Sequence, residues 1–120
     1  MVEASISIER VDPREKFVEF FKTFEDESGF KYRRRISQMV LEKSISLVID
    51  FEDLLAFDEE LANLLMENPA LILEEAGKAI RDVMKVENAE YARLVEKFIA
   101  RIRGLPENLR IPLRSLELFT

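Results

Sequence analysis

Two periods organise the hydrophobic positions of this chain, and the switch between them falls near its middle. Ile45, Leu47, Ile49 and Phe51 alternate with Ser46, Val48 and Asp50, the period of two expected of a half-buried strand. Past Asp58 the repeat becomes helical. Leu61, Leu64 and Leu65 recur at helical spacing behind an Asp58 N-cap, and Glu59 and Glu60 fall in the first turn, where the helix dipole favours negative charge. The pattern predicts a short strand passing directly into an acidic-nosed helix.

Upstream, Asp12 and Pro13 mark a helix start, since proline at the first helical position forfeits no hydrogen bond. Phe17, Phe20, Phe21 and Phe24 then lie at i, i+3, i+4 and i+7, one aromatic stripe best read as core-facing rather than ligand-stacking. Residues 25–29 form an acidic, glycine-containing break. A second helix is expected over 31–43, with Tyr32, Ile36, Met39 and Val40 inward and Arg33, Arg34 and Arg35 largely outward. With Lys31, these arginines are the candidate phosphate contacts. The plainer reading, favoured because no glycine or aromatic interleaves the run, is a solvated face paired with acids of the first helix or of residues 50–60.

A strand isolated among helices needs a partner, and residues 97–103 offer one, with Phe98, Ala100 and Ile102 alternating with Ile99, Arg101 and Arg103. The helix from Asp58 must stop near Asn68, because Pro69 cannot donate within it. Asn68 is then expected to cap the next helix, about 69–86, which turns Ile72, Ala76, Ala79, Ile80, Val83 and Met84 inward. Small Ala76, Gly77 and Ala79 would admit another helix closely. Asn88 is expected to cap a short helix in which Tyr91, Leu94 and Val95 pack, and residues 104–108 read as a turn.

Composition narrows the class. At 120 residues, 48% hydrophobic and 35% charged, the chain fits one folded domain, and three glycines and four prolines favour helices over a many-turned sandwich. The expected fold is mainly α: a four- to five-helix bundle at 12–103 with a small two-stranded β element, a flexible arm at 1–11, and a linker at 104–120. With no cysteine and no histidine, thiolate or imidazole metal sites and Ser–His or Cys–His nucleophiles are excluded. No phosphate-binding Gly-x-x-x-x-Gly-Lys loop is present. Asp50, Glu52, Asp53, Asp58, Glu59 and Glu60 do not reproduce a calcium loop, so capping and surface charge are their expected roles, and no cofactor is expected. The net charge is −6, yet residues 44–75 hold nine acids and no base, while 31–43 hold five bases against Glu42. No apolar run approaches membrane-spanning length, and the chain reads as cytoplasmic.

The middle stretch also carries a resemblance. A strand ending in an acid, Asp53-Leu54, Phe57-Asp58, Glu60-Leu61-Ala62 and Asn68-Pro69, followed by Ala100-Arg101-Ile102-Arg103-Gly104-Leu105-Pro106 and Ile111-Pro112-Leu113-Arg114, is similar to the amino-terminal region of archaeal minichromosome maintenance (MCM) replicative helicases. That resemblance implies a non-catalytic helical subdomain at the outside of a hexameric, ATP-driven ring that encircles DNA, chromatin-associated in its full-length context. Its partners would be the remaining MCM domains, neighbouring subunits and replication proteins, with DNA bound weakly if at all by this part. The family's zinc module and ATPase are not in this chain, which is expected to end before an oligonucleotide-binding barrel. The bundle would hang from residues 98–104 and move at Asn68-Pro69 or at Gly104 and Pro106, the first being better read as a static junction. Two other classes compete: a free-standing module binding a basic protein through its acidic 50–75 surface, and, less favoured, a metal-dependent hydrolase.

Overall fold

A computed structural model describes residues 12–105. The expected arm at 1–11, the hinge candidate Pro106 and the rest of the expected linker lie outside the described residues. Helix α1, Pro13–Thr23, starts where the sequence places it, with the Asp12 carboxylate accepting the Arg14 N–H at 3.1 Å. Phe17, Phe20 and Phe21 are fully buried, and Phe24 is half-buried at the point where the chain turns extended. The break at 25–29 is itself structured. Strands β1, Glu25–Asp26, and β2, Gly29–Phe30, form a minimal antiparallel hairpin, with Gly29 at φ +113° closing a turn that needs a left-handed residue.

Helix α2, Lys31–Glu42, buries Tyr32, Ile36 and Met39, while Val40 is half-buried. Lys43 adopts the left-handed conformation after it, and the Ser44 N–H closes the end on the Met39 carbonyl at 2.9 Å. Strand β3, Ser46–Asp50, buries Leu47 and Ile49. The strand does not extend through Phe51. Helix α3, Phe51–Phe57, begins there and buries Phe51 and Leu54, so the period changes one helix earlier than the pattern suggested. Helix α4, Glu59–Glu67, is capped by Asp58, whose carboxylate accepts the Leu61 N–H at 3.1 Å.

The bend at Asn68-Pro69 is closed by backbone alone. The Asn68 N–H donates to the Leu64 carbonyl at 2.9 Å and its carbonyl accepts from Ile72 at 3.0 Å, but its side chain, contrary to expectation, makes no cap bond. Helix α5, Pro69–Glu87, is about 28 Å long at 1.5 Å per residue. It buries all six expected residues, together with Leu73 and Gly77. Helix α1 lies along it, fixed by a two-pronged bond from Arg14 to Asp82 at 2.7 and 2.8 Å. Helix α6, Ala89–Leu94, is capped by Asn88 as expected, but it buries Ala92 and leaves Leu94 74% exposed, because Leu94 ends the helix beyond the reach of the core.

Strand β4, Ile99–Arg103, pairs with β3 in parallel, from Ser46 opposite Ile99 to Asp50 opposite Arg103. A parallel pair needs a long crossover, and α3 to α6 supply it. Six helices and two small sheets among the described residues give the expected mainly helical fold.

Of the small residues on α5, Gly77 admits the entrance to β4. A Cβ on Gly77 would stand 2.6 Å from the Phe98 carbonyl oxygen, a backbone atom that cannot rotate away. Gly77→Ala should therefore push β4 off α5 and destabilise the protein by about 1–3 kcal/mol, as core overpacking does. Chemical denaturation of the variant checks this, and an unchanged midpoint would show that β4 yields freely.

Candidate functional site

The chemistry-bearing side chains converge where β3 hands over to α3. Tyr32, in the first turn of α2, buries its ring among Phe20, Phe21 and Phe24, the closest centroid separation being 4.7 Å to Phe20. Its hydroxyl emerges at the other side. It donates to an Asp53 carboxylate oxygen at 2.7 Å and accepts the Asp50 N–H at 3.0 Å, which occupies one of the unpaired donors at the start of α3. One phenol thus joins the aromatic core to the strand–helix junction.

Asp50 is the electrostatic centre. One oxygen accepts Nε of Arg103 at 2.7 Å, and the other faces Nζ of Lys31 at 3.0 Å and a terminal guanidinium nitrogen of Arg35 at 3.1 Å. Lys31 also reaches Asp53 at 2.6 Å, and Arg35 donates to the Val48 carbonyl at 2.8 Å with its guanidinium 5.2 Å from the Tyr32 ring centroid. Burial works to raise the Asp50 carboxyl, but bonds from Arg103 and Lys31 and the charge of Arg35 outweigh it and hold it down at about 2. For Lys31, burial lowers the ammonium, and Asp53 and Asp50 more than compensate, so it is raised. Burial also pushes the Tyr32 phenol up, keeping the proton it donates to Asp53.

These contacts decide where the sequence-derived candidates stand. Lys31 and Arg35 are drawn inward to Asp50 and Asp53, as the pairing reading expects. Arg33 and Arg34 stay exposed and find acids outside both expected segments: Arg33 meets Glu87 at the end of α5 at 3.3 Å, and Arg34 meets Asp26 of the hairpin at 3.1 Å. Asn68 and Pro69 sit at the α4–α5 bend, and Gly104 follows β4 at φ +83°, with nothing among the described residues within 4 Å of the point where a Cβ would stand. Among the described residues, no group of three or more acids is arranged to hold a metal ion. Asp58 is occupied as a cap and lies 3.5 Å from Lys16.

Arg81 is a positioning residue that sequence reasoning missed. From α5 it donates to the Ala92 carbonyl, and at 2.7 Å to those of Val95 and Glu96, while its guanidinium lies 5.0 Å from the Phe98 ring centroid. It pins the segment leading into β4. Charge alone could not reveal this, because its partners are backbone oxygens.

A family model described as the MCM N-terminal domain matches residues 14–104. The chain is 34% identical over 107 residues to the minichromosome maintenance protein MCM of Saccharolobus solfataricus, covering 88% of this chain and 16% of that protein. It is 36% identical over 117 residues to the DNA replication licensing factor mcm2 of Xenopus tropicalis, covering 95% of this chain and 13% of the relative. Against the DNA replication licensing factor Mcm5 of Drosophila melanogaster it is 34% identical over 93 residues, 74% of this chain and 12% of the relative. The chain thus spans about one-sixth or less of the length of these curated relatives.

Asp50 gives the site a pH signature. A carboxyl held at about 2 against an ordinary 3.8 stabilises the fold above about pH 4, and that contribution fades as pH falls through 2. With solvent screening allowed for, it amounts to about 1–2 kcal/mol. Asp50→Asn should lower the melting temperature by several degrees at pH 6, and the gap from wild type should close toward pH 2. A gap independent of pH would show that the charge of Asp50 is not what matters.

Proposed function

Because this chain belongs to the MCM N-terminal domain family, we propose that it serves DNA replication as the non-catalytic front-end unit of a larger ATP-driven helicase, joined to further domains of the same polypeptide and to neighbouring subunits. Its work on this reading is mechanical. The bundle modulates how the assembly engages DNA and how that engagement is coupled to the motor.

The observation that carries this reading is the way β4 is held. It is paired along its length with β3, tied by Arg103 to Asp50, and seated at its entrance against Gly77 and Arg81. A displacement applied at Gly104 therefore moves the bundle as a body, and does not peel off β4. Gly104 is the natural pivot, since its positive φ favours glycine and no side chain among the described residues crowds it. The Asn68-Pro69 bend, closed by backbone bonds, serves better as a fixed corner.

A second reading rests on those acids of 50–75 that stay at the surface. Glu52, Glu59 and Glu60 are exposed, as is Leu55 between them in the sequence, and such a surface suits a basic protein segment. Glutamine at those three positions should weaken the binding of a basic peptide if that surface is used.

Gly104→Ala separates the hinge from the bundle. In the full-length polypeptide the variant should keep this domain folded, lowering its stability by no more than the roughly 1–2 kcal/mol that a Cβ at positive φ costs, while changing the kcat and KM of DNA-stimulated ATP hydrolysis together. Unaltered coupling in a stably folded variant would remove Gly104 as the pivot.

A further inference from the structure

The outer face of α2 differs from the rest of this acidic molecule. From Lys31 to Leu41 there is no carboxylate in the sequence, and Arg33, Arg34, Ser37, Gln38 and Leu41 all face solvent. Directly before it stands Phe30, the one phenylalanine left exposed among the described residues, at 41%. The Arg33 guanidinium lies 5.4 Å from the Phe30 ring centroid, so ring and cation form a single stacked unit. An aromatic surface beside two arginines is the arrangement that the run of basic residues alone did not reveal.

We propose that Phe30, Arg33 and Arg34 form a contact for single-stranded nucleic acid, with one base stacked on the Phe30–Arg33 unit and the flanking phosphates met by Arg33 and Arg34. This rests on the reading of the chain as part of a DNA-handling assembly, and it names a strand class and a site within it. Lys31 and Arg35 take no part, because Asp50 and Asp53 already hold them.

Magnitudes favour a single strand over a duplex. Arg33–Glu87 and Arg34–Asp26 are exposed pairs at 3.3 and 3.1 Å, and water screens such pairs so well that a phosphate can displace them readily. Glu25, Asp26, Glu27 and Glu87 border the patch and oppose a broad polyanion, which makes two cations too few for a duplex. Stacking one base on an aromatic ring adds affinity that a duplex cannot gain, because only an unpaired base offers its face.

The chain has no tryptophan, so Phe30→Trp places a lone fluorescent reporter in the patch. Titrating the 120-residue variant with an oligothymidylate at low salt should quench that fluorescence, while a blunt duplex of equal length should bind more weakly and quench little. Arg33→Ala with Arg34→Ala should weaken binding about tenfold and reduce the slope of log affinity against log salt by roughly 1.4, the value for two single-strand phosphates. Circular dichroism of each variant confirms folding, since all three side chains are exposed. Salt-dependent binding without quenching, and unchanged in Phe30→Ala, would overturn the stacking contact while leaving the arginines as phosphate ligands. Absence of binding at low salt would overturn the site altogether, and neither result bears on the hinge measured through Gly104.

Discussion

The hydroxyl of Tyr32 sits where the oily and the charged halves of this structure are joined. Its ring is fully buried against three phenylalanines, and its oxygen would be an orphan there without the Asp50 amide and the Asp53 carboxylate. Leaving such a group unpaired costs about 1–3 kcal/mol, so the geometry is demanded from both sides. If α1 and α2 pack, the phenol must emerge at the start of α3. Once α3 starts there, Asp50 is aimed at Lys31, Arg35 and Arg103.

Relative sizes show which contacts shape the fold and which refine it. Burying a large apolar side chain contributes roughly 1.5–3 kcal/mol, and the chain does this repeatedly along α1, α2 and α5. An exposed ion pair adds a fraction of that, and Arg103, 63% exposed, would be minor on its own. Asp50 is different because its side chain is only 14% exposed and three cations share it. The core fixes where β4 can lie, and the Asp50 cluster fixes its register, opposing Asp50 to Arg103 in the ladder.

Much of this was legible in the residues. Asp12-Pro13, the Asp58 and Asn88 caps and the Pro69 bend are local signals and appear where expected, and the alternation of Phe98, Ala100 and Ile102 identified the partner of β3. Helix α3 was not legible, because Phe51 satisfies both the strand alternation with Ile49 and a helical spacing to Leu54, and seven residues are too few to decide between them. The hairpin at 25–30 hid in a stretch read as a break. The partners of the arginine run depended on tertiary placement: Glu87 lies 54 residues from Arg33, and no pattern in the sequence joins them. For the same reason the exposure of Phe30 beside Arg33 emerged only from the fold.

The account stands on β4 being fastened to the core through the Tyr32–Asp50 junction, and native-state hydrogen exchange reads that directly. The Asp50 amide donates to the Tyr32 hydroxyl and the Ile99 amide to the Ile45 carbonyl, one reporter on each strand. Both should exchange only through global unfolding, with the same free energy as buried amides of α5. Exchange of Ile99 at a much lower free energy than α5 would mean that β4 opens by itself, and the bundle could not then move as one body with whatever is attached to it.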